Sequence, residues 1–199
     1  MLQILKDLDV ALFLFLNNLH SQFFDFIFYW ISQKFFWIPL YAYLLWYLYK
    51  HEKVDLVAML IAIVFAITLS DQLASTVLKN WVMRLRPCNE PSLVGLVHTV
   101  NGYCGGLYGF VSSHAANSFS LYAFVITIVN GRKWSFRYYL LFWAIIHSYS
   151  RIYLGVHYPG DIICGALLGL VVGFTIAKVY LYYKKIRHPN IGNSDRVSN

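Results

Sequence analysis

The sequence predicts an all-α integral membrane protein that folds as a six-helix bundle. Of its 199 residues, 59% are hydrophobic and only 13% are charged, whereas soluble domains carry about 25% charged residues. Six stretches approach the roughly 20 apolar residues that a helix needs to cross a bilayer. The length suits one domain, which we place at residues 1–187. The polar tail at residues 188–199 is expected to be disordered.

Six segments are predicted to cross the membrane. Five of them are well defined and cover residues 34–49, 54–78, 111–130, 135–153 and 162–183. The sixth, residues 10–31, is interrupted by Asn17, Asn18, His20 and Asp25, so an amphipathic helix on the membrane surface is an alternative. Two spans carry small residues at every fourth position, which allows helix backbones to approach closely in lipid. These are Ala58, Ala62, Ala66 and Ser70 in one span, and Gly165, Gly169, Gly173 and Ala177 in the other.

The basic residues predict the orientation of the chain, because cytoplasmic loops of membrane proteins are enriched in Lys and Arg. With six spans and a cytoplasmic N-terminus, three basic clusters fall on the cytoplasmic side. They are Lys50 with Lys53, Arg132 with Lys133 and Arg137, and Lys184 with Lys185 and Arg187. This bias explains the net charge of +7 without a nucleic-acid partner. Both termini are therefore predicted to be cytoplasmic.

The opposite, non-cytoplasmic face also carries basic residues, against this rule. They are Lys79, Arg84, Arg86 and Arg151. Ionisable residues at the end of a span usually serve a function, and an anionic ligand would explain several cations together. Cys88 and Cys104 share a polar loop on this face and would form a disulfide in an oxidising compartment. The sequence leaves both the paired and the free state open.

The first cluster with chemical potential runs from Lys79 to Pro87. Lys79 and Arg86 are seven residues apart, or two helical turns, so we expect them to point the same way from the end of one helix that Pro87 stops. Two cations suit a phosphate dianion, since Arg offers a planar fork of donors and Lys a point charge. Alternatively, these side chains reach lipid headgroups.

The second cluster is Ser112, Ser113 and His114, at the start of a predicted span. Serines cap helix N-termini, and the unpaired N–H groups there bind anions. His114 then places an imidazole beside a possible phosphate site. The alternative is a simple helix cap followed by an interfacial histidine.

The third cluster contains Arg151, His157 and Asp161. Arg151 can bind phosphate. His157 and Asp161 are four residues apart at the start of the last span, so the carboxylate can lie near the imidazole. An Asp bonded to one ring nitrogen leaves the other nitrogen free to attack. The pair is also half of a metal site, but no third ligand is evident in the sequence.

Together, the clusters resemble the three signature motifs of the type-two phosphatidic acid phosphatase superfamily, which includes lipid phosphatases and vanadium haloperoxidases. The first and third match in spacing, as Lys79-x6-Arg86-Pro87 and Ser150-Arg151-x5-His157-x3-Asp161. The second motif usually reads Pro-Ser-Gly-His and here reads Val111-Ser112-Ser113-His114. The Ser and His are retained, while the replaced Pro and Gly leave the backbone shape of this loop open.

The resemblance implies a role for each matching residue. His157 would attack phosphorus and form a phosphohistidine, and Asp161 would orient it. His114 would protonate the leaving oxygen and then activate water. The phosphoryl oxygens would be bound by Lys79, Arg86, Arg151, Ser112 and Ser113. The resemblance implies no metal and no other cofactor.

The implied function is that of a lipid phosphatase in a bacterial cytoplasmic membrane, with its catalytic site at the non-cytoplasmic face. The substrate would be a membrane lipid that carries a phosphomonoester or a pyrophosphate. Undecaprenyl diphosphate is the first expectation, followed by phosphatidylglycerol phosphate, phosphatidic acid and lipid A phosphate. A phosphotransferase that uses the same histidine and a non-enzymatic lipid-binding or transport protein are the alternatives. The expected partners are the lipid substrate and the bilayer; no oligomeric state is predicted.

Overall fold

The computed structural model describes residues 2–51, 55–129 and 135–189. In these ranges the chain forms seven α-helices, connected by loops and short 3-10 turns. They are α1 (Leu2–Asn17), α2 (Gln22–Ser32), α3 (Ile38–His51), α4 (Leu56–Val82), α5 (Ser113–Ile128), α6 (Phe136–Tyr153) and α7 (Pro159–Arg187). The predicted all-α class is confirmed. Lys53, Arg132, Lys133 and most of the predicted tail, residues 190–199, lie outside the described residues.

Two of the described helices, α4 and α7, are long and apolar enough to cross a bilayer. They contain 27 and 29 residues, and at 1.5 Å per residue each exceeds the roughly 30 Å of a hydrocarbon core. By contrast, α3 has 14 residues and α5 has 16, which correspond to about 21 and 24 Å. The protein therefore has membrane-spanning helices, while the count of six spans stays a prediction.

The segment 10–31 is predicted to form one span. The structure divides it into α1 and α2, and the chain direction bends by 115° between them. Asn17 ends α1 because its side chain turns inward, where its amide nitrogen donates to the carbonyl oxygens of His98 at 3.0 Å and Tyr153 at 2.9 Å. Ser21 then caps α2 by accepting a hydrogen bond from the backbone of Phe24. The polar residues that interrupt the apolar pattern are thus the cause of the bend.

Close packing of α5 against α7 forms the centre of the bundle. Gly165, Gly169 and Gly173 lie along the side of α7 that faces α5. A Cβ atom at any of them would overlap a backbone carbonyl oxygen at the start or middle of α5. The packing places the second and third motifs side by side, and the backbone N–H of Ser112 donates to the carbonyl of Asp161 at 3.0 Å.

The largest buried core lies between α3, α4, α5, α6 and α7. Its members include Leu44, Met59, Phe124, Leu140 and Trp143. Large apolar side chains also remain exposed along both long helices, for example Val57, Ile61, Val171 and Val179. Such a continuous apolar surface suits contact with lipid chains.

Candidate active site

The residues of the three motifs converge at the end of the bundle where α4 ends and α5 and α7 begin. The imidazole of His157 lies within range of electrostatic interaction with Lys79, Arg86 and Arg151. His114 interacts in the same way with Arg151 and His157. The structure therefore brings both imidazoles and all three cations of the predicted site together.

His157 and Asp161 form a buried pair, with exposed fractions of 1% and 0%. Nδ1 of His157 lies 3.4 Å from Oδ2 of Asp161, and the same oxygen accepts the backbone N–H of Tyr158 at 3.0 Å. In the tautomer that carries its proton on Nδ1, the imidazole faces the carboxylate with a donor. The lone pair of the other nitrogen, Nε2, is then available for attack.

Gly109 lies against this pair. A Cβ atom at position 109 would lie 3.1 Å from Oδ2 of Asp161 and 3.3 Å from Cγ of Arg86. Both contacts are tighter than ordinary van der Waals packing, so a side chain here would displace the carboxylate of Asp161 or the aliphatic part of the Arg86 side chain. Glycine at position 109 therefore allows the loop before α5 to lie against residues of the first and third motifs.

The pKa of His157 is held well below its ordinary value of 6.5. Burial is the main cause, and the positive charges of Arg86, Arg151 and Lys79 add to it. Both effects disfavour the imidazolium. At neutral pH the ring is therefore neutral, which is the form that a nucleophile requires.

Arg86 reaches the site from an extended segment, and the expectation that it extends the helix of Lys79 is wrong. The helix ends at Val82 because Met83 adopts a left-handed backbone conformation with φ of 48°. Leu85 then forms a β-bridge with Tyr108, and the N–H of Arg86 donates to the carbonyl of Leu107 at 3.1 Å. Pairing with the returning loop, and not helical periodicity, fixes the direction of Arg86.

Arg151 is 4% exposed and lies at the end of α6. Its Nη1 donates a hydrogen bond to the hydroxyl of Ser32, the last residue of α2. Tyr103, in the loop between α4 and α5, also interacts with the guanidinium. Neither Ser32 nor Tyr103 belongs to a motif, so these contacts were not predictable from the sequence.

Two guanidinium nitrogens in the site are buried without a hydrogen-bond acceptor among the described residues. They are Nη1 of Arg86 and Nε of Arg151. Buried donors in native proteins are nearly always paired, and an unpaired donor on a charged group is costly. A bound oxyanion would supply the missing acceptors.

Lys79 follows a π-helical stretch of α4, Leu73–Leu78. Such wide turns often occur at functional sites. Lys79 interacts electrostatically with two carboxylates, Asp71 and Asp161. Asp71 is itself held by Asn117, whose amide nitrogen donates to Oδ1 at 3.0 Å.

The two serines of the second motif have different environments. Ser112 is fully buried and caps α5, because its hydroxyl accepts the N–H of Ala115 at 3.4 Å. Ser113 is the first helical residue and lines a neighbouring cavity. The ring of His114 lies 5.3 Å from that of His147. Nδ1 of His147 is hydrogen-bonded to the hydroxyl of Ser118 at 2.8 Å.

Two residues that the motifs do not include, Asp9 and Arg84, support Asp161. Nη1 of Arg84 donates to Asp161 at 3.1 Å and to Asp9 at 2.8 Å. The other oxygen of Asp9 accepts the backbone N–H of Gly160, in the first turn of α7, at 2.7 Å. The unexplained charge of Arg84 on the predicted non-cytoplasmic face was a signal for such a role, whereas Asp9 offered none in the sequence.

Two cavities open beside His114, which lines both. One has a volume of about 450 Å³ and a largely apolar lining that includes Leu44, Leu48, Leu60, Ile63, Ile67 and Leu121. The other, which we call the polar cavity, has a volume of about 560 Å³, and its lining combines polar residues of the α2–α3 connection and of the loop before α5, and Arg151, with the apolar residues Phe35, Val100 and Leu154. The site thus joins a cavity of mixed polar and apolar lining to one whose lining is mostly apolar.

The segment that carries the site matches a known family. A model of the PAP2 superfamily matches residues 55–185. The chain belongs to the PAP2 superfamily. This confirms the resemblance drawn from the three motifs. Together with the relatives described next, it makes the protein a lipid phosphatase of the phosphoric monoester hydrolase class. Within the described residues of this PAP2 protein, no group of three or more His, Cys, Asp or Glu side chains could hold a metal ion.

Several PAP2 relatives are similar over most of the chain. A lipid A 4′-phosphatase of Bacteroides thetaiotaomicron is 44% identical over 172 residues, which are 85% of this chain and 75% of the relative. A lipid A 4′-phosphatase of Porphyromonas gingivalis is 36% identical over 182 residues, 91% of this chain and 76% of the relative. An undecaprenyl-diphosphatase of Sulfolobus acidocaldarius is 30% identical over 151 residues, which are 74% of this chain and 65% of the relative.

The fold is also similar to that of a solved structure. The crystal structure of LpxE from Aquifex aeolicus superimposes with a TM-score of 0.62 at 26% identity, and the match covers 86% of this chain and 95% of LpxE. The overall fold described above is therefore shared with a solved protein.

Proposed function

We propose that this PAP2 protein hydrolyses a phosphate monoester of lipid A, an acylated, phosphorylated glucosamine disaccharide, at the 4′ position. The observation that carries the proposal is the pair of buried, unpaired donors on Arg86 and Arg151 beside the neutral imidazole of His157. Together they provide donors for an oxyanion and a neutral nucleophile in the same site.

The reaction proceeds in two steps. In the first, Nε2 of His157 attacks phosphorus, the bond to the sugar oxygen breaks, and His114 gives a proton to that oxygen. Asp161 accepts the hydrogen bond from Nδ1 and stabilises the positive ring. In the second, His114 takes a proton from water, which attacks the phosphohistidine and releases inorganic phosphate and neutral His157.

The three cations stabilise the transition state of both steps. Charge develops on the equatorial phosphoryl oxygens, and Lys79, Arg86 and Arg151 surround the position that these oxygens would take. Ser112 and the backbone N–H groups at the start of α5 complete the donor set, with Ser113 at its edge.

Two arguments favour lipid A over undecaprenyl diphosphate, which was the first expectation from the sequence. The two lipid A 4′-phosphatases are 44% and 36% identical to the chain, whereas the undecaprenyl-diphosphatase is 30% identical over a shorter segment. In addition, the polar cavity of about 560 Å³ beside His114 has room for a saccharide headgroup. Lipid A has such a headgroup, whereas a polyprenyl diphosphate has none. The apolar cavity would hold part of an acyl chain.

We place the site on the periplasmic side of a bacterial inner membrane, with six spans and both termini in the cytoplasm. Cys88 and Cys104 are joined as a disulfide in the loop that carries Arg86, and disulfides persist in oxidising compartments. At the far end of α7, Lys184, Lys185 and Arg187 suit a cytoplasmic surface.

Phosphate release from purified protein in detergent tests the function. The panel contains lipid A, undecaprenyl diphosphate, phosphatidylglycerol phosphate and phosphatidic acid, with product mass identifying the position that reacts. We expect the highest kcat/KM for lipid A and loss of its 4′-phosphate. Phosphate release from undecaprenyl diphosphate alone would refute the substrate, and release from none of the four would refute hydrolysis of these lipids.

A further inference from the structure

Lys34 lies where the two cavities beside His114 meet, and its side chain contributes to the lining of both. It is the first residue of the 3-10 turn Lys34–Trp37, between α2 and α3. Its side chain is exposed and close enough to His114 for electrostatic interaction. Among the described residues it has no hydrogen-bond or ion-pair partner.

The lining of the polar cavity suits a saccharide headgroup. The side-chain amides of Gln33 and Asn101 line this space and form no hydrogen bond to another described residue. An amide both donates and accepts, as a sugar hydroxyl does. Tyr29 and Tyr103 add aromatic surface and hydroxyl groups to the same lining.

A further cation at this position is not needed for the phosphate that reacts. Lys79, Arg86 and Arg151 already surround His157, and Arg151 alone among them lines the polar cavity. Lys34 lines the polar cavity together with His114, and this cavity is the space left for the rest of the headgroup. An unpaired ammonium there is suited to an anionic group that the substrate carries at a second position.

We propose that Lys34 binds a second phosphate of the substrate headgroup and so selects bisphosphorylated glycolipids over glycolipids with a single phosphate. The inference rests on the proposed function, since it assumes a phosphorylated saccharide in the polar cavity. Lys34 acts on binding and takes no part in the chemical step.

The test compares two substrates that share the reacting 4′-phosphate: lipid A with a second phosphate at position 1, and lipid A without it. Both are assayed in phospholipid-free detergent micelles with wild-type protein and Lys34→Gln. We expect KM for the bisphosphorylated lipid to rise about tenfold in the variant, the size expected for one lost charge-assisted hydrogen bond. Because the contact is equal in the ground and transition states, the ratio of kcat for the two lipids should not change. For the monophosphorylated lipid, KM should not change.

Two further variants serve as controls. Lys34→Arg keeps the charge and should retain most of the preference. Lys50→Gln makes the same substitution near the other end of α3, where Lys50 lies over the ring of Trp46, and it should change neither KM. An equal rise of KM for both substrates in Lys34→Gln, or no rise for either, would overturn the proposal while leaving the phosphatase function intact.

Phosphates of neighbouring membrane lipids present the same chemistry as a second phosphate on the substrate. The assay is therefore repeated with phosphatidylglycerol added to the micelles. An effect of Lys34→Gln that appears only with this lipid would mean that Lys34 binds the surrounding membrane, against the proposal. If wild-type protein releases phosphate from neither form of lipid A, the proposed function and the role of Lys34 both fail.

Discussion

Nη1 of Arg84 lies 3.1 Å from Oδ1 of Asp161 and so connects the segment of the first motif to the carboxylate of the third. Asp9 holds the same guanidinium nitrogen at 2.8 Å and also binds the backbone of Gly160. Asp9 is therefore connected to His157 through Arg84 and Asp161.

Replacing Asp9 with Asn should lower kcat and leave KM nearly unchanged. The first turn of α7 loses an anchor, and small displacements of a catalytic group cost on the order of tenfold or more in rate. Steady-state kinetics in detergent measure the effect. Asp7→Asn is the matched control, since Asp7 is exposed and bonds Gln3 in the same helix; equal kcat values for the two variants would exclude a positioning role.

Substitution of His157 and of His114 should reduce activity in different ways. His157→Asn removes the nucleophile, so we expect no phosphoenzyme and no turnover above background. His114→Ala should slow turnover by about 10²–10⁴-fold, the usual contribution of a general acid–base group. Acid quenching after brief exposure to labelled substrate detects the phosphohistidine. His20→Gln is a control outside the site, and a labelled His157→Asn protein would contradict the assignment.

The acid limb of the kcat/KM profile should lie below pH 6.5. Because burial and nearby cations lower the pKa of His157, the neutral ring persists as pH falls past 6.5 and is lost only near the lowered value. The profile is measured with two substrates whose phosphate groups have different pKa values. An acid limb that shifts with the substrate reports titration of the phosphate, whereas a limb at the same pH for both reports titration of the enzyme. A substrate-independent limb at or above pH 6.5 would contradict the assignment.

The same pKa shift predicts the direction of acid destabilisation. The unfolded chain binds a proton at this histidine near pH 6.5, before the folded protein does. The free energy of unfolding should therefore decrease as pH falls below 6.5. Thermal unfolding of wild-type protein and His157→Asn across this range measures the share of that decrease that belongs to His157.

Loss of the disulfide should lower thermal stability. Cys88 and Cys104 are separated by 16 residues, and closing a loop of about 15 residues stabilises a fold by about 3 kcal/mol in the chain-entropy treatment. The double variant Cys88→Ser, Cys104→Ser should have a lower Tm than Cys164→Ser, which removes the free cysteine. Reductant should lower the Tm of wild-type protein and leave that of the double variant unchanged.

Activity should persist after treatment with EDTA. The charge of the transferred phosphoryl group is opposed by three side-chain cations in the proposed mechanism, a role that a metal ion fills elsewhere. Phosphate release before and after chelation, with a later addition of Mg²⁺ or Zn²⁺, measures any dependence. A strong loss with EDTA that a metal ion restores would contradict the mechanism.

Much of the site was predictable because each motif encodes its own local geometry. The i, i+4 spacing brings Asp161 to His157, and the glycine repeat of α7 brings the third motif to the second. The direction of Arg86 was not predictable in this way. It depends on the left-handed conformation of Met83 and on pairing with Tyr108, about twenty residues away, and helical periodicity contains no information on either.

The fold was predictable in class but not in its N-terminal part. Apolar composition identifies long helices such as α4 and α7, whereas residues 10–31 had enough apolar residues to suggest one span. The bend depends on Asn17, whose amide is satisfied only by backbone groups near His98 and Tyr153. Contacts between residues so far apart in the chain become visible only when the tertiary structure is known.

The bent N-terminal hairpin has a practical consequence for how this enzyme is handled. Asp9 and Ser32, the partners of Arg84 and Arg151, both precede residues 55–185, the region that defines the family. A shortened protein would keep every signature residue and lose two of the groups that hold them in place. Deletions or fusions at the amino end should therefore be judged by turnover as well as by expression level.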